Sequence, residues 1–387
     1  MRVLTVGLAM AVLVARPADA GRMLYATAAS PKRVDGFCLR DNGSMAPKPS
    51  ISIELASEQP RRLLVVGDVL YVAEKDRVEA FQIGPKGGLS LLGRTPKRDK
   101  SGPRDIAVSP AANMLYVPDR GRSRVLGHPL DADGRPATDF TTCIQGEIGA
   151  SYQMLVVNGD KLYVSSNGGS GRIEVFGIAP DGRLFDKNGV FPTPSDCVSA
   201  SVGVTRPDAT EALSQRRQIN DVKSFVIVGD VLYAEDRARR RIRGFRLTDG
   251  NFAEPTEKPN GKKQWQPAES KTNRVAQYQM IAHTGVALIG TQFFHGRIDS
   301  YELGADGLLP KKTKKRSNAD LRYTPVRLLP DQQVVYVATG EFDRIIAYRL
   351  TVNGVLADRD PFSQTDEQNG SFPNDVAIAM LTEGCGS

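Results

Sequence analysis

Charged, polar and aromatic residues lie at the start of an apolar segment that recurs along the chain. Their side chains are of the types that bind anions. The set comprises Arg61, Arg62, Arg104, Asp105, Tyr152, Gln153, Lys223, Tyr278, Gln279, Asn374 and Asp375. Guanidinium and ammonium groups pair with carboxylate or phosphate, and tyrosine rings offer stacking faces. These residues predict a site for a small anionic or sugar-like ligand. The alternative is a solvated channel mouth in which the charges pair with one another.

The composition excludes several chemistries that need metals or redox groups. The chain has 3 His, 4 Cys and 1 Trp, and it has neither a Cys-x-x-Cys zinc or redox motif nor a Cys-x-x-Cys-His haem motif. The segment Asp131-Ala132-Asp133-Gly134 begins like a calcium loop but lacks the remaining ligands. We therefore predict no metal and no cofactor.

A repeated strand must position these side chains. A Leu-Tyr-Val-like segment occurs in seven copies, from Leu24-Tyr25 to Val335-Tyr336-Val337, and only the sixth copy, Leu288-Ile289, lacks its tyrosine. A further strand follows each copy, and then a turn pair such as Asn42-Gly43 or Asp181-Gly182, which tolerates the positive φ of tight hairpins. The turn glycines recur at intervals of about 44 to 68 residues, which fits four-stranded propeller blades rather than helical repeats of about 34.

The repeats predict an all-β fold, a seven-bladed β-propeller of four-stranded antiparallel blades in one domain over residues 21–387. The chain enters at a second strand, residues 22–27, and residues 372–378 resemble the first strand that is predicted for blade 3 over 102–108. The C-terminal strand is therefore predicted to join blade one and close the ring. Insertions are predicted near 196–221 and 253–275. Antiparallel order places first-strand starts and second-strand ends on one face, where the polar set gathers.

Residues 1–20 have the pattern of a signal peptide, with Arg2, an apolar run over 3–15 and small residues at Ala18 and Ala20. The alternative, an uncleaved anchor, needs about 20 apolar residues. We predict a periplasmic or secreted protein with no transmembrane segment after cleavage.

Four cysteines in an exported chain predict two disulfides. Ring closure by both termini brings Cys38 and Cys385 together, so we predict a Cys38–Cys385 bridge. Cys143 and Cys197 follow outer strands of adjacent blades and are predicted to form the second bridge. The alternative is that these cysteines are free buried thiols.

Two basic runs, residues 237–246 and 311–316, stand out in a chain of formal net charge +7. They are interpreted as solvated faces, the alternative being contact with an anionic polymer or a membrane surface. Export and the lack of interleaved aromatic residues argue against nucleic acid as a partner.

The blade at 162–182 carries Leu162-Tyr163-Val164, then Ile173-Glu174-Val175-Phe176 and Pro180-Asp181-Gly182. It resembles the lactonase-type seven-bladed propellers, a family related to bacterial 6-phosphogluconolactonase and to the YVTN-repeat proteins, and the resemblance covers residues 22–380. It implies the propeller fold strongly and an activity only weakly, because propellers host many unrelated functions.

The family's hydrolases carry Gly-Pro-Arg-His and a later Asn-Glu, whereas this chain has Gly102-Pro103-Arg104-Asp105 and Pro118-Asp119. An ionised aspartate is a poorer base than an imidazole near neutral pH. His128 stands where other blades have Phe or Tyr and is predicted to pack in the core, and His283 is predicted on the opposite face. The residues left for lactone chemistry are Arg61, Arg104, Asp105, Glu235 and His295.

We therefore predict an exported lactonase-like propeller that acts as a binding or scaffold module for a small anionic ligand or an exported protein partner. The alternative is a lactone hydrolase that acts on a non-phosphorylated lactone. A third interpretation, an accessory subunit that docks an electron-transfer protein, rests on export and blade geometry alone.

Overall fold

The structure is a computed structural model, and the residues that it describes are 21–57, 59–98, 102–145, 151–166, 172–186, 216–218, 222, 224–236, 241–252, 256–257, 263–264, 278–292, 297–305, 307, 309, 315–317, 325–339, 344–366 and 373–385. The predicted signal peptide lies outside these residues. In chain order the strands are β1 Arg22–Ala28, β2 Arg33–Leu39, β3 Ile51–Glu54, β4 Arg62–Val66, β5 Val69–Ala73, β6 Val78–Ile83, β7 Leu89–Arg94, β8 Ala107–Ser109, β9 Met114–Asp119, β10 Arg124–Pro129, β11 Thr142–Gln145, β12 Tyr152–Asn158, β13 Lys161–Ser166, β14 Arg172–Ile178, β15 Leu184–Phe185, β16 Arg216–Gln218, β17 Phe225–Val228, β18 Val231–Asp236, β19 Arg241–Thr248, β20 Asn251–Phe252, β21 Thr256–Glu257, β22 Lys263–Gln264, β23 Tyr278–His283, β24 Ala287–Gln292, β25 Ile298–Glu302, β26 Lys315–Arg316, β27 Pro325–Asp331, β28 Val334–Thr339, β29 Arg344–Arg349, β30 Ser363–Gln364 and β31 Pro373–Met380.

These strands form a seven-bladed propeller of antiparallel sheets, as the repeats predict. Blade 1 has the strand order β3-β2-β1-β31, and blades 2, 3, 5, 6 and 7 are β4–β7, β8–β11, β17–β20, β23–β26 and β27–β30. Blade 4 is β12–β15, with β16 paired to β14 beyond the end of β15. The strands β21 and β22 form a separate hairpin inside the predicted insertion at 253–275.

The ring closes through blade 1, which confirms the prediction from the sequence. Strand β1 pairs with β2 on one side and with the C-terminal strand β31 on the other, with Arg22 opposite Met380. The Cys38–Cys385 disulfide, with its Cα atoms 5.7 Å apart, joins the same two ends of the chain. Cys143 lies on β11 rather than after it and is also disulfide-bonded. Its predicted partner, Cys197, lies outside the described residues.

The second strand of each blade is buried on both faces because its side chains alternate between two neighbouring blades. On β1, Met23 and Tyr25 pack with Leu70 and Phe81 of blade 2. Leu24 of the same strand packs with residues of blade 7 such as Tyr336. The core therefore consists of apolar layers between blades, which explains why the Leu-Tyr-Val segments are apolar throughout.

One hydrogen bond, repeated around the ring, ties each blade to the next. The second-strand tyrosine of one blade donates to the carbonyl oxygen of the following blade's turn glycine. The oxygen–oxygen distance is 2.5 to 2.8 Å in five of these bonds, and the bond of Tyr233 is shorter. The pairs are Tyr25 with Gly87, Tyr71 with Gly134, Tyr116 with Gly182, Tyr163 with Gly250, Tyr233 with Gly307 and Tyr336 with Gly43. The two sequence repeats, tyrosine and turn glycine, are thus the two halves of one contact. We call the face that carries these contacts the lock face.

Glycine is required at these turns for two reasons. At Gly182 the backbone φ is +80°, a conformation that disfavours other residues, and a Cβ would lie 2.5 Å from the Cε of Met114. In blade 6, Ile289 replaces the tyrosine. There Thr284 fills the space beside Gly354, since a Cβ on that glycine would lie 1.9 Å from the Thr284 Oγ1.

One predicted strand is shorter than expected. The first strand of blade 3, predicted over 102–108, is formed only by β8, Ala107–Ser109. Pro103 has no N–H to donate to a strand ladder, so regular pairing starts after it. Arg104 and Asp105 therefore lie in the connection that enters the blade rather than in the strand.

Candidate functional site

The face opposite the lock face carries an open basic cleft of about 780 Å³. First-strand starts and second-strand ends meet on this face, which we call the cleft face. The lining residues are Lys32, Ala56, Ser57, Arg61, Lys75, Asp76, Arg77, Lys97, Arg98, Gly102, Arg120, Gly121 and Ser151. We call this the basic cleft, because among these residues Asp76 is the one acid.

The cleft is assembled from connections in four consecutive blades. Lys32 lies in the turn between β1 and β2, and Lys75, Asp76 and Arg77 lie between β5 and β6. Further cationic residues come from the connection after β7 and from the short 3-10 helix Arg120–Arg122 that follows β9. Ser151 precedes β12 of blade 4. Since each blade contributes a different loop, the composition of the cleft does not follow the sequence repeat.

Three guanidinium groups of the cleft face are held by neutral acceptors. Arg120 donates from Nε and Nη2 to Ser151 Oγ at 2.8 and 2.6 Å. Arg104 donates to Gln153 Oε1 at 3.1 Å. Arg61 donates to the Gly102 carbonyl at 3.4 Å and to Gln59 Oε1 at 3.2 Å. These contacts orient the three side chains without neutralising their charge.

The three arginines are close enough to affect one another. Partial burial, and then the charges of Arg104 and Arg61, lower the pKa of Arg120 to about 10. Burial and Arg104 likewise lower the pKa of Arg61. An anion bound among the three guanidinium groups would relieve their mutual repulsion.

Asp76 is already engaged with cations. Its carboxylate lies 3.1 Å from the Nε of Arg77 and 3.6 Å from the Nζ of Lys97. Hydrogen bonds from Ser57 and Arg77, together with the charges of Arg77 and Lys97, outweigh partial burial and lower the pKa of Asp76. A carboxylate stabilised in this way is a weak base.

Two buried glutamates lie directly behind the wall of the cleft. Glu74 accepts from the backbone N–H of Ser57 at 2.6 Å, and Glu79 accepts from that of Ala56 at 3.5 Å. Burial, followed by the charge of Glu79, raises the pKa of Glu74 to about 8. At neutral pH Glu74 therefore holds a proton. The Glu79 carboxyl lies 3.4 Å from the Nε of Arg94.

Arg62 and Asp375, predicted ligand residues, and Asp105, a predicted catalytic residue, form a buried ion-pair group between blades. Arg62 lies 2.6 Å from Asp105 and 3.4 Å from Asp375. Asp375 accepts from the Leu63 N–H at 2.7 Å, and Asp105 accepts from the Leu155 N–H at 2.8 Å. Burial raises the pKa of each aspartate to about 6, and Arg62 opposes this effect. The contacts give the group a structural role in joining the inner strands of blades 1 to 4.

Two other predicted site residues are also enclosed. Tyr152 is fully buried and donates to Glu174 Oε2 at 2.8 Å, so neither face of its ring is open to a ligand. Glu235 is fully buried on β18. Gln153 is 8% exposed and lies beside the cleft, where it holds Arg104 and donates to Ser151 at 3.0 Å.

The remaining predicted residues are less fully described. Lys223 and His295 lie outside the described residues, and for Tyr278, Gln279 and Asn374 only the backbone is described. His128 is buried on β10, where burial lowers its pKa to about 4 and its Nδ1 lies 3.0 Å from the Ala137 carbonyl. It lies opposite Leu115, at the end of its strand that is remote from the cleft.

The described parts of the two basic runs lie near acidic residues. Arg241 and Arg243 lie 3.9 and 3.6 Å from the buried Asp236, and Arg246 lies 2.7 Å from Asp230. Arg316 lies 2.6 Å from Asp299. The described arginines of both runs therefore pair with the protein's own carboxylates.

Sequence reasoning did not select Lys32, Lys97 and Arg98 for the site. The strand pattern that identifies the blades gives no information about the connections in which these three residues lie. A usable signal is present in residues 94–104, where basic residues concentrate just before Arg104 in the connection from blade 2 to blade 3.

No group of three or more His, Cys, Asp or Glu side chains within the described part of the chain is placed to hold a metal ion. No helix in the same residues is long and apolar enough to cross a membrane.

Comparison with known proteins supports the fold. No protein-family model and no curated protein matches the chain. A periplasmic gluconolactonase of Pseudomonas aeruginosa superposes with a TM-score of 0.68 and 13% identity, over 94% of this chain and 99% of that one. A candidate 6-phosphogluconolactonase of Bacteroides fragilis gives 0.68 and 15% over 94% and 98%, and one of Bacteroides uniformis gives 0.67 and 16% over 93% and 100%. The chain therefore shares the complete seven-bladed fold of these lactonase-like propellers.

Proposed function

We propose that this protein is a lactone hydrolase whose basic cleft binds an anionic lactone. The observation that carries the proposal is the convergence of Arg61, Arg104 and Arg120, each held by neutral acceptors, beside an open cleft. The likeness in fold to a protein described as a gluconolactonase is a second, weaker support. The disulfide supports a location outside the cytoplasm, where such bonds persist.

The arginines suit the charge that develops during lactone hydrolysis. Water attacks the lactone carbonyl, a new C–O bond forms, and the carbonyl oxygen becomes an oxyanion that fixed guanidinium donors stabilise. The ring C–O bond then breaks, and the ring oxygen leaves as a hydroxyl after taking up a proton. One water is consumed, and a hydroxycarboxylate and a proton are released. Asp76 is the carboxylate in the cleft that can accept a proton from the attacking water.

The second candidate function is anion binding without turnover, the binding-module interpretation. The observation that favours it is the low pKa of Asp76, which makes this carboxylate a weak general base. Asp105, which stands in the position of the family's histidine, is buried against Arg62 and away from the cleft. The predicted protein partner and the docking of an electron-transfer protein stay predictions.

The decisive experiment measures hydrolysis and binding on the same variants. Purified protein is assayed with neutral aldonolactones and with lactones that carry a carboxylate, and dissociation constants are measured for the hydroxy-acid products. We expect turnover of the anionic lactones, and Arg120→Gln is expected to lower kcat by about 100-fold, the loss typical of one oxyanion donor. Arg183→Gln is the matched control, because Arg183 is an exposed arginine paired with Asp181 on the lock-face turn of blade 4.

Three outcomes separate the candidates. Turnover that is lost in Arg120→Gln and kept in Arg183→Gln supports the hydrolase. Product binding without turnover of any lactone supports the binding module and contradicts the hydrolase. Neither binding nor turnover would remove both proposals for the basic cleft.

A further inference from the structure

We propose that the ligand of the basic cleft is an extended chain with several anionic groups, of the class of acidic oligosaccharides such as uronic-acid oligomers, rather than a single sugar acid. The inference deepens the proposed function and rests on the same cleft. It follows from the size of the cleft, from the grouping of its charges and from the neutral groups between them.

The cleft is large for one sugar ring. Its volume of about 780 Å³ falls in the upper part of the roughly 300 to 1,000 Å³ range of pockets that enclose drug-sized molecules. Its walls come from blades 1 to 4, from Lys32 at one end to Ser151 at the other. A ligand that touches both ends must span several blades.

The cations of the cleft fall into two electrostatic groups. Arg61 and Arg120 in the cleft and Arg104 beside it form one group. Gln153 holds Arg104 at 3.1 Å and donates to Ser151 Oγ at 3.0 Å, and the same Oγ accepts from Arg120 at 2.6 Å. After burial, the charge of Arg104 lowers the pKa of both Arg61 and Arg120. Arg98 belongs to a different environment. After burial, the charge that most affects the pKa of Arg98 is Asp119, and its guanidinium lies 5.3 Å from the ring centroid of Phe140. Beside it, the side chain of Lys97 is 63% exposed. One small anion would satisfy one group, whereas a chain of anions would satisfy both.

Neutral hydrogen-bonding groups lie among these cations. Ser57 lines the cleft between the blade 1 and blade 2 sides, and Ser151 and Gln153 flank the arginine group. The carbonyl of Gly102 adds an acceptor beside Arg61. Guanidinium groups recognise carboxylates, while hydroxyl, amide and carbonyl groups recognise sugar hydroxyls. A uronic-acid chain presents both carboxylates and hydroxyls, whereas a bare polyphosphate has no sugar hydroxyls.

Calorimetric titration of the full chain with galacturonic acid and its linear dimer and trimer tests the proposal. We expect the trimer to bind about 100-fold more tightly than the monomer, because linked anions engage a second group of cations at high effective concentration. Lys97→Gln is expected to weaken trimer binding about threefold, as for an exposed ion pair, and to leave monomer binding unchanged. Arg120→Gln is expected to weaken both. Lys86→Gln, an exposed lysine on the lock-face turn of blade 2, is the matched control and should change neither.

The inference is overturned if monomer and trimer bind equally well, if inorganic phosphate binds as tightly as the trimer, or if neutral maltotriose does. These results are independent of catalysis. Length-dependent binding without any lactone turnover keeps the inference and removes the proposed hydrolase. Turnover of a monomeric lactone together with length-independent binding keeps the proposed hydrolase and removes the inference of an extended ligand.

Discussion

The two faces of the propeller follow opposite rules. On the lock face the same tyrosine-to-glycine contact recurs in six of the blade junctions, and the Cys38–Cys385 disulfide joins the chain ends beside it. On the cleft face each blade contributes a different loop, and several cations lie together. Repetition on one face secures the ring, while the other face gathers charged residues from connections that differ between blades. Substitutions on the lock face should therefore alter stability, and those in the cleft should alter binding.

The largest effect is expected at the ring closure. The double variant Cys38→Ser/Cys385→Ser removes a bridge between residues 347 positions apart. We expect the free energy of unfolding to fall by about 2 to 5 kcal/mol, as for other native disulfides. Denaturant unfolding measures this change, and anion binding by the folded fraction should equal that of the unaltered protein. Unchanged stability would show that β31 holds the ring closed without the bridge.

The next largest effect is expected from the loss of a single tyrosine–glycine hydrogen bond on the lock face. Tyr116→Phe leaves the buried Gly182 carbonyl without its donor at 2.8 Å, a loss of about 1 to 3 kcal/mol. Tyr71→Phe removes the equivalent contact one blade earlier and should cost a similar amount. If the two losses differ widely, the repeated contact is not energetically equivalent around the ring.

A pH-dependent effect on stability is expected behind the cleft wall. The pKa of Glu74 rises from 4.5 to about 8 on folding. The stability linked to its proton is thus complete below about pH 4.5 and is lost as the pH rises through about 8. Glu74→Gln should be more stable than the unaltered protein near pH 9, and this advantage should vanish near pH 5. Unfolding curves at both pH values, with the exposed Glu54→Gln as control, measure the difference.

The smallest change in stability is expected in the cleft itself. Arg120→Gln removes one of three mutually repelling guanidinium groups, so the free energy of unfolding should change by no more than about 0.5 kcal/mol. The affinity for inorganic phosphate should fall about tenfold, the effect of one charge-assisted hydrogen bond. A large loss of stability instead would place Arg120 among the residues that hold the fold.

The sequence predicted the fold well because the lock contacts need the same residue types in blade after blade. Tyrosine and turn glycine recur visibly, and so does the first-strand pattern that placed residues 372–378 in blade 1. The cleft was harder to predict, because its cations lie in connections that follow no repeat. Arg61 and Arg104 were identified, but Lys97 and Arg98 were not.

The direction in which each side chain points was the second feature that was difficult to predict from the sequence. Adjacent residues point to opposite sides of an extended chain, so Arg61 and Arg104 reach the cleft face while Arg62 and Asp105 turn inward to each other. The sequence places all four at the mouth of the channel, and only packing between blades separates the groups that can meet a ligand from those that join inner strands. Tyr152 shows the same effect, since its hydroxyl is directed to Glu174.

Strands β1 and β31 lie side by side in blade 1, so the same fold could be formed by a chain that begins in a different blade. The N–H of Gly21 donates to the carbonyl of Glu383 at 3.2 Å, so a short peptide from Glu383 to Gly21 would connect β31 to β1 without disturbing a strand. New ends could then be opened at an exposed turn of another blade, such as the one at Gly67, where a Cβ would meet no neighbouring atom within 4 Å. Such circular permutants would keep every sheet and both faces, and the seam of the ring would simply move to a different blade.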